Sequence, residues 1–290
     1  MNDIDIALLR QSIGRTTHDE DAVTQRLASA YRATLAPHLA NVNDGEAPLA
    51  IHWCLAPPAA PMAALGDDGH AAKGEFLPPV PLPRRMWAGG SIETLAPLRL
   101  GDCVRRTSIV EDVTVKDGRT GTLCFVAVRH ELSTDRGLAI RERHDIVYRD
   151  LPTRSTASAG MPRVDARADA KVERPEMDLV WTVETSPVLL FRYSALTFNG
   201  HRIHYDQPYV TGVEGYAGLV VHGPLQASLL FNLAATLGGR APRMFNYRGV
   251  APLIVGEPLR VCGRRETAGK VKCRTETEAG GVKMEATATW

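Results

Sequence analysis

Apolar and polar residues alternate over the last nine positions of the chain. Val282, Met284, Ala286, Ala288 and Trp290 fall on one side, and Lys283, Glu285, Thr287 and Thr289 on the other. A period of two marks a strand with one buried face. Residues 258–266 and 270–277 precede it as strand-like runs, so the chain is predicted to end in an antiparallel meander. An earlier meander is predicted from residues 102–115, 119–132 and 138–149, with turns at Lys116–Asp117–Gly118 and around Ser133–Gly137. Residues 178–184 and 187–195 also read as strands. Helical spacing and an acidic start predict a helix over 19–36. Residues 55–83 carry Pro57, Pro58, Pro61, Pro78, Pro79, Pro81 and Pro83, whose missing amide donors exclude a central strand or helix.

Residues 222–238, HGPLQASLLFNLAATLG, are apolar around most of the helical circumference, which demands burial on nearly all sides. Pro224 suits the first helical position, Gly223 the N-cap and Gly238 the stop. Ser228, Asn232 and Thr236 form one polar stripe, available either to the surrounding sheet or a subunit seam, or to their own i−4 carbonyls. The segment APLRLGD at 96–102 is echoed by APLIVGE at 251–257, each before a meander. This predicts a duplicated fold: residues 1–150 as a first half, 151–176 as a Ser, Ala, Arg and Pro-rich linker, and 177–290 as a second half.

Composition narrows the function. The 290 residues carry a formal net charge of +1, which gives no general field for nucleic acid or an anionic membrane. No apolar run approaches the length of a membrane span, and the acidic N-terminus does not read as a secretory signal. Five scattered cysteines suit reduced thiols in a cytoplasm better than disulfides or a zinc site.

Candidate chemistry concentrates in YSALTFNGHRIHYD at 193–206, with His222 shortly after. Three readings of the residues stand. His201, His204, Asp206 and His222 are metal ligands by type. They are also ordinary loop groups satisfied by backbone. In the third reading, His204 moves a proton while Asn199 orients water, which suits an imidazole near neutral pH. Gly223, at the positive end of a buried helix, would offer its amide to a developing oxyanion.

YSALTFNGHRIHYD, followed by GLVVHGPLQASLL at 218–230, resembles the hydratase motif of the MaoC-like, R-specific enoyl-CoA hydratase family. NGHRIHYD and RRMWAGGSIETLAPLRLGD at 84–102 resemble its branch containing mesaconyl-C4-CoA hydratase, itaconyl-CoA hydratase and 3-hydroxyacyl-thioester dehydratase. The resemblance implies an α+β double hotdog, two antiparallel sheets each wrapping a central helix, with the catalytic loop in the second half alone. It implies Asn199 at the family's Asp position, His204 as the catalytic His, and Gly223 as donor to the thioester oxygen. The Asp-to-Asn departure removes a base and leaves the acid–base work to His204.

Expected substrates are short branched or dicarboxylic enoyl-CoAs, with His222, Arg202, Arg243 and Arg248 as candidate binding residues. Neither metal nor cofactor is expected. A cytoplasmic protein, with a homodimer as the assembly to test, completes the picture. The alternatives are a fatty-acid 3-hydroxyacyl-thioester dehydratase, a thioesterase, and a silent acyl-CoA-binding module. The first half, in which no matching polar constellation is evident, is expected to supply walls for the acyl and CoA groups.

Overall fold

The computed structural model describes residues 4–118, 121–150 and 176–290, so the predicted linker lies almost wholly outside the described residues. In chain order the elements are α1 (Ile6–Arg10), β1 (Thr16–Ala22), α2 (Gln25–Leu35), β2 (Arg84–Thr94), β3 (Cys103–Gly118), β4 (Gly121–Thr134) and β5 (Gly137–Arg149). Then come β6 (Leu179–Val183), α3 (Pro187–Thr197), α4 (Gln207–Gly212), α5 (Gly223–Gly238), β7 (Met244–Gly249), β8 (Leu259–Thr267), β9 (Lys270–Thr277) and β10 (Val282–Thr289).

The strands form one ten-stranded antiparallel sheet in the order β1-β3-β4-β5-β2-β7-β10-β9-β8-β6. Read outward from the middle, the order of one half repeats that of the other, which is the duplicated hotdog. Two details refine the expectation. The two sheets are continuous through β2 and β7, which pair from Gly89↔Arg248 to Glu93↔Met244. Among the described residues, only the second half has a long central helix, α5; between its first and second strands the first half carries α2, a short 3-10 turn at Ile51–Cys54 and the proline-rich loop.

The meanders form as the alternation and turn residues predict. Met284, Ala286 and Ala288 are buried in β10, while Glu285 is exposed. Strands β2 and β7 are absent from the expectation because the seam needs glycine, a poor strand former. A Cβ on Gly89 would lie 2.6 Å from the Tyr247 carbonyl oxygen, and one on Gly90 would strike the Arg143 carbonyl and the Tyr247 hydroxyl.

Two other expectations are corrected. Residues 19–22 extend β1, where Asp19 and Glu20 sit opposite Arg106 and Arg105. The helix begins only after Thr24, whose side chain caps the Leu27 amide at 3.1 Å. Residues 187–197 are helix α3, not strand: Ser186 caps the Leu189 amide and Pro187 follows it at the first position.

Helix α5 is buried on nearly every side, as its composition demands. Leu225, Leu229, Leu230, Phe231 and Leu233 are all buried, each contributing about 1.5–3 kcal/mol. They share one core cluster with Tyr31, Ile51, Leu55 and Ile92 of the first half. The polar stripe takes the i−4 role, and Asn232 adds a contact that was not expected, with loops of the first half. Thr236 bonds back to the Asn232 carbonyl, whereas Asn232 reaches into the first half, accepting from the Ala40 amide at 3.1 Å and donating to the Leu49 carbonyl at 3.3 Å. The five cysteines are free, and all but Cys103 are buried.

Candidate active site

The motif begins where α3 ends. Phe198 takes a left-handed conformation (φ 48°), so the chain leaves the helix and Asn199 opens a loop. The Asn199 side-chain carbonyl accepts the His201 amide at 3.0 Å, an Asx turn. A single 3-10 turn, Arg202–His204, then carries His204 inward.

His204 is buried, and its Nδ1 lies 2.7 Å from the Val220 carbonyl oxygen. A carbonyl can only accept, so Nδ1 carries the ring proton and Nε2 is left as an acceptor. Burial drives the His204 pKa down to about 3, with the Val220 hydrogen bond opposing in part, so the ring is neutral near pH 7. His222 stacks on it at 3.6 Å between ring centroids and bonds Ser194 Oγ through Nε2 at 2.8 Å. It is fully buried, its pKa is held well below the ordinary imidazole value by burial and then by His204, and its Nδ1 has no partner.

His222 is the N-cap of α5 and Gly223 its first residue, so the helix starts one position earlier than expected. A first-turn amide has no carbonyl of its own helix to bond. Trp87 of β2 packs against it: a Cβ at Gly223 would lie 2.7 Å from Trp87 Cε3, so the close approach requires glycine. The helix start of the second half thus abuts an aromatic wall from the first.

The three arginines do not converge on His204. Arg202 donates twice to Asp206 and stacks on Tyr209, Arg243 pairs with Glu93, and Arg248 pairs with Glu285. Arg248 instead lines a cavity of about 450 Å³ at the β2–β7 seam, together with Lys116 and Arg143. Asp206 also caps the Tyr209 amide of α4, so its carboxylate is already engaged by structure.

The first half holds no copy of the motif, but it carries two polar clusters of a different kind. The buried Glu142 carboxylate accepts from Trp53 Nε1 at 2.6 Å and His144 Nε2 at 2.7 Å, with Tyr247 and His52 close by. Burial pushes that carboxyl up, but His144 and His52 hold it well below the carboxylate range. Trp53 and Tyr247 also contact Trp87, so this cluster braces the aromatic wall beside Gly223.

The second constellation comes from the proline-rich loop. His70 Nδ1 and Asp68 Oδ2 are 2.9 Å apart, and the His70 ring lies 4.1 Å from that of His201, itself 5.4 Å from His204. Donor atoms of Asp68, His70 and His201 lie within 4.8 Å of one another. Among the described residues, this is the trio that one ion or one water could bridge, rather than the set of His201, His204, Asp206 and His222.

Known proteins resolve the family. The family model described as hydroxyacyl-thioester dehydratase type 2 matches residues 50–255. The chain is 43% identical over 255 residues to the mesaconyl-C4-CoA hydratase of Chloroflexus aurantiacus, covering 87% of each chain. It belongs to the hydroxyacyl-thioester dehydratase type 2 family. Solved structures agree on the fold. A MaoC-like dehydratase from Phytophthora capsici superposes with a TM-score of 0.66 at 17% identity, covering 99% of both chains. A Mycobacterium tuberculosis protein described as having a double hotdog fold gives 0.52 at 13% identity, covering 96% of both.

Family membership makes the chain a hydro-lyase of the acyl-thioester hydratase and dehydratase class. The structure brings His204 and His222 together beside Gly223 at the start of α5, while Asn199 bonds only the His201 and Ser194 backbone. Asp68 and His70 were missed, because nothing local marks them and they meet the motif only through the fold. No helix among the described residues is long and apolar enough to cross a membrane.

Proposed function

We propose that this enzyme adds water reversibly across the α,β double bond of a short branched or dicarboxylic enoyl-CoA, with mesaconyl-C4-CoA the first candidate. The observation that carries the reading is the state of His204: buried, neutral, and fixed by Val220 so that Nε2 holds the lone pair. In hydration, His204 Nε2 takes a proton from water as the water oxygen bonds to the β-carbon. The electron pair of the double bond moves through the α-carbon to the thioester oxygen, where the Gly223 amide stabilises the charge. The proton on His204 then passes to the α-carbon, which restores both the carbonyl and the neutral imidazole. Asn199 sits at the loop's opening and helps to fix the water.

The relative's name supports the substrate class, as does its 43% identity. Of the candidate arginines, Arg248 has the strongest claim on CoA phosphates, because it shares a cavity with Lys116 and Arg143 and its pairing with Glu285 is largely exposed. The reading includes a two-half chain joined by residues 151–176, with the first half as the acyl wall. It also includes a cytoplasmic location, supported by the free cysteines, and a homodimer, supported by the exposed Val188 and Phe191 on α3. The test is a panel of enoyl-CoAs followed by loss of the conjugated thioester absorbance. Fastest turnover on mesaconyl-C4-CoA or itaconyl-CoA is expected. Far faster hydration of straight chains of about eight carbons or more would move the assignment to fatty-acid dehydration. Tight binding without turnover would make the chain a binding module.

A further inference from the structure

The motif lacks the carboxylate that its family resemblance leads one to expect, since position 199 is Asn. A single imidazole then has to take the proton from a water that Asn199 can aim only through a neutral amide. The proline-rich loop of the first half brings a carboxylate and an imidazole to the same place. Asp68 Oδ2 receives the His70 Nδ1 proton at 2.9 Å, and Asp68 Oδ1 accepts the His70 amide at 2.9 Å. The ring is thereby fixed in orientation and tautomer, with Nε2 as its acceptor.

The contact between this loop and the motif is built rather than incidental. The Arg202 amide donates to the Asp68 carbonyl at 2.9 Å, and Arg202 Nη1 to the Asp67 carbonyl at 2.9 Å. Gly69, at φ +84°, lies so close to Gly200 that any Cβ there would strike the Gly200 carbonyl. A Cβ on Gly200 would in turn lie 2.8 Å from the Gly69 carbonyl. Two glycines and two hydrogen bonds therefore hold His70 against His201. The charged and titratable groups around His70 are Asp68, Arg85, His201 and His204. Burial and Arg85 keep its pKa below the ordinary value against the pull of Asp68, so it is an acceptor near pH 7.

We propose that Asp68 and His70 stand in for the missing carboxylate: His70 Nε2 accepts one hydrogen of the attacking water while His204 Nε2 removes the other. The proton balance is unchanged, because His70 only holds the water and His204 both takes and returns the proton. This rests on the hydratase reading above.

The test is steady-state kinetics on the full chain with the best thioester of the panel, on His70→Ala, Asp68→Asn, Asn199→Asp and the double variant His70→Ala/Asn199→Asp. His70→Ala is expected to lower kcat by about 30- to 100-fold, within the roughly 5- to 150-fold range of one lost positioning hydrogen bond, with KM within about threefold. Asp68→Asn, which still accepts from Nδ1, should lose less. Asn199→Asp in the His70→Ala background should recover at least about tenfold, because it returns a carboxylate to the motif. A purely structural His70 would not be rescued in this way, so absence of recovery overturns the proposal. His70→Asn, which keeps a donor for Asp68, must also lose kcat, and covers the case of an unfolded alanine variant. Full activity after dialysis against a chelator is expected; its loss would assign the trio to a bound metal instead. A wild type inactive on every thioester removes both readings. An active wild type with an undiminished His70→Ala removes this one alone.

Discussion

Between their first and second strands the two halves make excursions of similar length, residues 23–83 in one and 184–243 in the other. The second half spends its excursion on α3, α4 and the buried α5, and so obtains a helix start, Gly223, beside a short turn that presents His204. The first half spends its excursion on α2 and a proline-rich loop, which cannot form a central helix and instead reaches across to the motif. A duplicated framework can thus diverge in the connection alone: one copy keeps a long buried helix, and the other packs an aromatic face and a loop against it.

Separating the halves breaks this comparison most severely. Residues 177–290 expressed alone should be insoluble or inactive, because β7 loses its pairing with β2 and Asn232 loses Ala40 and Leu49. A soluble, fully active fragment in a turnover assay would end the two-half account. Next in size is His204→Ala, expected to cut kcat/KM by about 10²–10⁴-fold, at the upper end, with circular dichroism unchanged. Retention of a tenth or more would move suspicion to His222. Asn199→Ala should cost only about 5- to 150-fold, since Asn can aim water but not take its proton.

A smaller effect sharpens the contact between halves. Gly223→Ala places a methyl against Trp87, so activity should fall by roughly tenfold, and Trp87→Leu, by making room, should restore part of it. An unaffected Gly223→Ala would show that the aromatic wall has slack. The last effect is on stability rather than turnover. His204, His222, His201 and His130 are held below their ordinary pKa, so the folded protein binds fewer protons than the unfolded chain below about pH 6.5. Their contribution is complete above that pH and is lost as pH falls, by up to about 1.4 kcal/mol per unit for each ring. Tm should therefore fall from pH 7 toward 5, and a level Tm over that interval would contradict the neutral assignment.

Much of this was legible in the sequence where the signal is local. Both meanders and the all-round burial of α5 follow from periodicity and capping residues, and the closeness of His204 and His222 to Gly223 follows from the motif's place before the helix. Strands β2 and β7 were not legible, because the seam substitutes glycine for the branched residues that normally mark a strand. Helix α3 was misjudged because its apolar run, VLLF, lacks a clear period, and the Ser186–Pro187 start was the overlooked cue. Asp68 and His70 were invisible because the motif residues they meet, Arg202 and His201, are more than a hundred positions away, and no pattern within the loop distinguishes them from turn residues.

The hydrogen bonds of Asn232 span 192 and 183 positions of chain. During synthesis the first half leaves the ribosome without the helix on which its own core closes. Tyr31, Ile51 and Leu55 must wait for α5 before they are sealed from water. Contacts of such sequence separation make assembly slow, because loop closure has to be completed before they form. The nascent first half is therefore a natural client for chaperones, and a truncation anywhere before α5 leaves a sticky intermediate rather than a smaller folded protein.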